Sequence, residues 1–142
     1  MKTYSYPAIF EPAERAGVYV VTFPDVPEAI TQGAGMADAR AMAADALGVA
    51  LLIYIEQDRP LPEPGQGDSM IAPDADIAAK IAVIESFKAA GISQSELARR
   101  MGKDEKEARR ILDPNHATKL PLLAEALAVL GKRLVIGLEA AE

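Results

Sequence analysis

The stretch DRPLPEPGQGD, residues 58–68, sets the first limit on how this chain folds. Three prolines and two glycines in 11 residues suit neither a helix nor a central strand, because proline lacks the amide donor that both ladders need. The segment reads as a linker or a long connecting loop, and the residue pattern differs on its two sides. Before it, β-branched and aromatic runs lead into one long helical repeat; after it, helical spacing dominates. The expected fold class is α+β, with a first domain over residues 1–73 that contains the 58–68 linker and a second over residues 74–142.

In the first half, TYSYPAIFEP alternates in part and GVYVVTFP is rich in β-branched and aromatic residues, with AERAG between them as a turn ending at Gly17. This predicts a β-hairpin. EAITQG supplies a third short strand, and SMIAP, beyond the linker, a fourth. From Met36 onward, Ala39, Met42, Ala43, Ala46, Leu47, Ala50, Leu51 and Tyr54 recur at steps of three and four, so one face of a helix covers the sheet. The order is β-β-β-α-β, two layers around one core.

Asp25 stands between two prolines in FPDVP, and Glu28, Asp38 and Asp45 are near it in sequence. Converging carboxylates would serve general acid–base or metal chemistry. The sequence favours a plainer reading, in which Asp25 caps a turn, Asp38 complements the helix dipole at its N-terminus, and Asp45 is solvated. No cysteine is present and there is one histidine, which removes thiolate sites and imidazole clusters. No cofactor, no metal and no enzymatic activity are expected. No apolar run reaches the roughly 18 residues of a membrane span, and the N-terminus lacks the pattern of a signal peptide, so a cytoplasmic location without membrane contact is expected.

Charge is unevenly divided. Residues 1–67 carry 4 Lys and Arg against 9 Asp and Glu, a net −5, whereas residues 68–142 carry 11 against 12, a net −1. Within the second half, residues 93–119 hold 7 basic and 5 acidic side chains, a local +2. The two halves are thus expected to meet different partners.

DADIAAKIAVIESFKAAG predicts a helix with Asp74 or Asp76 as its cap and Gly91 as its stop. In ISQSELARRMGKDEKEARRIL, Ser93 and Glu96 have the spacing of a capping box, and Leu97, Ala98 and Met101 follow before Gly102. A small residue at Ala98, a glycine at the turn and apolar Ala108, Ile111 and Leu112 on the next helix match the needs of a helix-turn-helix. The second helix, over residues 104–112, would then enter the major groove. Lys103, Lys106, Arg109 and Arg110 are the candidate groove or backbone contacts, with Gln94 and Ser95 at the start of the preceding helix and Asn115, Thr118 and Lys119 in the following loop. The plainer alternative is a solvated helix face with internal ion pairs such as Glu105 with Arg109. Asp104, Glu105 and Glu107 count against phosphate binding unless they accept from cytosine amino groups or pair with neighbouring arginines. Beyond this, Leu120, Leu123, Leu127 and Leu130 line a last helix stopped by Gly131, and RLVIGL reads as a strand that pairs with its copy in a second protomer.

YPAIFE, then FPDVP, Gly33 and a helix ending near YIEQ resemble the N-terminal domain of HicB-family antitoxins over residues 4–72. SQSELARRMG, ILDPNHATKL and LGKRL resemble the members of that family that carry a phage-repressor-like helix-turn-helix domain. The QGAGMADA segment departs from the acidic helix start more usual in the family. The resemblance implies a truncated ribonuclease H fold in the first domain, without a working nuclease site. It also implies a type II antitoxin that binds and blocks the RNA-cleaving toxin HicA, represses its own operon by binding operator DNA, and acts as a homodimer or higher oligomer through its C-terminal domain. Two alternatives stay open: a stand-alone regulator whose first domain binds a ligand or oligomerises, and a metal-dependent hydrolase using Asp25 and Asp45.

Overall fold

The computed structural model describes residues 1–140. It divides into two compact units, Met1–Asp74 with the tail from Leu138, and Ala75–Gly137.

The first unit is α+β. Its strands are β1 (Tyr6–Pro7), β2 (Ile9–Pro12), β3 (Val18–Thr22), β4 (Ile30–Ala34) and β5 (Met70–Ile71), with helix α1 (Met36–Glu56) between β4 and β5. Strands β2, β3 and β4 form an antiparallel sheet in that order, in which Val21 lies opposite Phe10 on one side and Thr31 on the other. The expected first strand is broken at Ala8. Ala8 N–H donates to the carbonyl of Ser69 at 2.9 Å, and the strand before it pairs with β5, not with the hairpin. Residues 58–68 are therefore a loop that returns the chain to β1 inside the first unit, held by Tyr6 Oη donating to the Pro62 carbonyl at 2.7 Å.

Between β3 and β4 the chain makes two successive turns, Val26 N–H to Phe23 O at 3.1 Å and Ala29 N–H to Val26 O at 2.9 Å. Proline sets φ for the second residue of each turn, so Phe23, Val26 and Ala29 all point into the core while Pro24 and Pro27 stay exposed. Helix α1 then lies on the sheet through Ala39, Ala43, Leu47, Leu51 and Tyr54. The small residues at its start permit close approach: a Cβ on Gly33 would stand 2.5 Å from the Ala39 backbone. Met42, expected on this covered face, is instead 40% exposed. Alanines at neighbouring helical positions already fill the narrow gap to β4, and Met42 lies one step round the helix from them.

The second unit is all helical: α2 (Ala75–Ala90), α3 (Gln94–Met101), α4 (Glu105–Leu112) and α5 (Leu120–Val129). Ala79 and Val83 of α2, Ile111 of α4 and Leu123, Ala126 and Leu127 of α5 make one core cluster; Leu97 and Ala98 of α3 with Ala108 of α4 make the other. Met101 and Leu112 touch both. The RLVIGL strand is not formed: among the described residues none after α5 is in a strand. A lone segment in a helical unit has no ladder to join, so the single chain leaves Val135 and Ile136 exposed.

Candidate functional site

The carboxylates near Asp25 do not converge. Asp25 Oδ2 accepts from the Gly65 amide at 2.9 Å and so ties the proline-rich loop to the FPDVP turn. Asp38 Oδ2 accepts from the Ala34 amide at 2.9 Å at the start of α1, where Gly35 occupies the cap and offers no side chain. Glu28 accepts from Tyr54 Oη at 2.8 Å and from Arg59, whose guanidinium lies 4.0 Å from the Tyr54 ring centroid. These bonds, first that from Tyr54, hold the Glu28 carboxyl below its ordinary range, while burial pushes the Tyr54 phenol up. Asp45 is exposed on α1. Among the described residues, no three His, Cys, Asp or Glu side chains are grouped to hold a metal ion.

In the second unit, local chemistry sets the geometry of α3 and α4. Ser93 Oγ accepts from the Glu96 amide at 3.1 Å, and Gly102 at φ +66° closes α3 with a left-handed turn. The capping box is half made. The Glu96 side chain turns to Arg99 and Arg100, at 2.5 and 2.9 Å, rather than back to Ser93, and these two guanidiniums hold its carboxyl down to about 2. Asp104 caps α4, its Oδ1 accepting from the Glu107 amide at 2.8 Å.

The residues expected to contact DNA fall into three groups. Gln94 and Ser95 stand against the start of α4, Gln94 Nε2 donating to the Glu105 carbonyl at 3.4 Å and Ser95 Oγ to the Glu105 carboxylate. Lys106, Arg109 and Arg110 are exposed. At about 100° per residue, Lys106 points away from the buried Ala108 and Ile111, with Arg109 and Arg110 on either flank. The third group lies around this face: Lys103 is half-buried with Nζ 3.9 Å from Glu125, Asn115 and Lys119 are exposed, and the Thr118 hydroxyl accepts from Lys80. Of the acidic residues that count against phosphate binding, Asp104 is turned to the cap and Glu105 to Ser95, neither paired with an arginine, and Glu107 is exposed. Glu105 does not form the pair with Arg109 that a plain solvated helix would show; its carboxylate faces α3.

Lys80 is the residue sequence reasoning passed over. On α2 it reads as a solvated charge, yet it is 3% exposed, and its ammonium donates to the carbonyls of Arg110 and Ile111 at 3.1 and 2.8 Å and to Thr118 Oγ1 at 2.7 Å. It thus closes the C-terminal end of α4, reinforcing the Asp113 amide on the Arg110 carbonyl and supplying a donor to that of Ile111. Burial pushes this ammonium down to about 8, and Asp113 opposes the shift. The one available signal was the apolar surroundings, Ile77, Ala78, Ala79, Ile81 and Ala82, in which a lysine is out of pattern.

Comparison with known proteins matches residues 5–90 to a family model described as the HicB-like antitoxin of bacterial toxin-antitoxin systems. Over 140 residues the chain is 36% identical to Antitoxin HicB 1 of Photorhabdus laumondii, covering 98% of this chain and 90% of that protein. It is 40% identical to Antitoxin HicB of Escherichia coli K12 over 132 residues, 91% of this chain and 95% of the relative. Antitoxin HicB of Pseudomonas fluorescens is 31% identical over 132 residues, 90% of each. With a match over more than half its length and relatives along nearly all of it, the chain belongs to the HicB-like antitoxin family of bacterial toxin-antitoxin systems.

Proposed function

We propose that this antitoxin works in two ways: its first unit binds a HicA-like, RNA-cleaving toxin and blocks it without catalysis, and its second unit binds the operator of its own operon. The observation that carries the second half is the disposition of charge on α3 and α4. Asp104 is turned to its cap and Glu105 to Ser95, so Lys106, Arg109 and Arg110 stand exposed on the outward side of α4, three cations beside the exposed Glu107. Family membership and the net −5 of residues 1–67 support the first half, because an RNA-binding toxin presents a basic surface.

Operator binding by a single α4 is weak, so two copies are needed, set against half-sites about one helical turn apart or a multiple of it. Val135, Ile136 and Leu138, at 56%, 61% and 99% exposure, form the segment proposed to pair with its copy as an intermolecular ladder.

The test is in two parts. Co-expression with its cognate HicA-like toxin should restore growth arrested by that toxin alone; persistent arrest together with a shift of the upstream DNA would make the chain a stand-alone regulator instead. In titrations of the upstream DNA, Lys106→Ala with Arg109→Ala should weaken binding about a hundredfold and flatten its salt dependence. Ile136→Pro should abolish dimers in sedimentation and weaken the same binding. Unchanged retention by the double variant would remove α4 from the interface.

A further inference from the structure

We infer that the outward face of α1 is the docking surface for the toxin, and that it fits a basic protein surface with an apolar centre; this deepens the antitoxin reading and rests on it. Met42, Val49 and Ile53 are 40%, 52% and 44% exposed, three large apolar side chains on one helix that the fold leaves uncovered. With about 100° per residue, they and the exposed Asp38, Asp45 and Glu56 fall within an arc of about 80°. The apolar stripe runs about 16 Å along the helix at about 1.5 Å per residue, a length that suits a protein surface better than a small ligand.

Charge selects the occupant. The one basic residue in α1 is Arg40, which lies on the covered side with its guanidinium 5.9 Å from the Phe10 ring centroid. The outward face therefore carries carboxylates and no base. Packing it against the same face of a second copy would bring Asp38, Asp45 and Glu56 of one chain against those of the other with nothing to neutralise them, which disfavours self-association there. A partner that rings an apolar patch with lysine or arginine satisfies both components. The carboxylates then steer the encounter, and Met42, with its flexible side chain, adapts to the partner's contour.

Another exposed apolar row in this unit is Ile9 and Ile30 with Thr22 between them, in register across the outer face of the sheet. It supplies two large side chains with one exposed carboxylate, Glu11, on the same face, against three on α1, so its charged component is weaker.

The full chain can be tested against the purified product of its cognate HicA-like toxin gene, by calorimetric titration at low and high salt. Wild-type protein must bind and neutralise that product; if it does not, the antitoxin reading itself fails. Given wild-type binding, Val49→Asn with Ile53→Asn, and separately Asp45→Lys with Glu56→Lys, should each reduce affinity about tenfold or more, and the charge variant should also lose most of the salt dependence. All four positions are exposed, so thermal midpoints should stay close to wild type and report folding independently. If both variants bind like wild type, or if Ile9→Ser with Ile30→Ser abolishes binding while they do not, docking is not on α1 and the inference is overturned.

Discussion

Gly33→Ala is expected to cost about 3 kcal/mol of stability, because the added methyl group has no room and nothing nearby that can yield cheaply. The new Cβ would lie 2.5 Å from both N and Cα of Ala39 and 2.8 Å from the carbonyl carbon of Asp38, all of them backbone atoms of α1. The helix must lift from β4 along its first turns, which uncovers Ala39 and Ala43 and strains the Asp38 bond to Ala34. For a unit of this size, that loss corresponds to a fall in thermal midpoint on the order of 15 °C, readable by circular dichroism of the full chain. Gly17→Ala is the matched control. Gly17 has a positive φ, +80°, which Gly33 does not, but nothing lies within 4 Å of a Cβ added there, so only backbone strain of about 1 kcal/mol is expected. Equal effects at the two glycines would show that close approach of α1 to β4 contributes little.

Lys80→Met should destabilise the second unit by about 2–4 kcal/mol, since it removes one buried donor group from three acceptors. The carbonyls of Arg110 and Ile111 and the Thr118 hydroxyl lose the ammonium together, and the C-terminal end of α4 with the loop after it is released. A methionine variant as stable as wild type would mean that water replaces the ammonium at no cost. The pH dependence gives a second test with a definite sign. The folded-state value near 8 lies below the ordinary 10.5, so between these limits the unfolded chain holds a proton that the folded chain has released. Stability from this group therefore rises with pH across that window, by at most about 3 kcal/mol, and is at its least below pH 8. Subtracting the Lys80→Met profile from the wild-type profile isolates that rise, and a flat difference between pH 8 and 10.5 would contradict the shift. The same lysine bears on the operator contact proposed for this unit by position and through Thr118, whose hydroxyl it holds; it touches none of Lys106, Arg109 and Arg110 through their side chains.

Much of the second unit is written in short-range chemistry. Ser93 and Gly102 bound α3 because a hydroxyl three residues before an amide, and a glycine free to adopt φ +66°, act over a few bonds whatever surrounds them. Gly91 and Gly131, at φ +65° and +80°, close α2 and α5 for the same reason. The hairpin, the third strand, the long helix and the short strand after the proline-rich loop also follow from local periodicity. Legibility failed at the site for a consistent reason. Glu105 looks like a partner for Arg109 on a helical wheel, but its carboxylate meets Ser95, ten residues away on another helix. Lys80 looks solvated on its own helix and is buried only because α4 and Thr118 close over it, 30 to 38 residues further along. Met42 belongs to the apolar series of α1, yet the narrow gap to β4, set by Gly33, leaves no place for it.

The order of strands and helices, their caps and stops, the acidic first half and the family resemblance could all be read from the linear chain, since each depends on neighbours within about one turn or on composition. The break of the first strand at Ala8, the pinning of the proline-rich loop by Asp25, the burial of Lys80 and the uncovered acidic and apolar face of α1 arose only on folding. Each of these is settled by a partner distant in sequence, and the register and spacing that bring such partners together are properties of the packed layers, to which no local pattern of residues gives access.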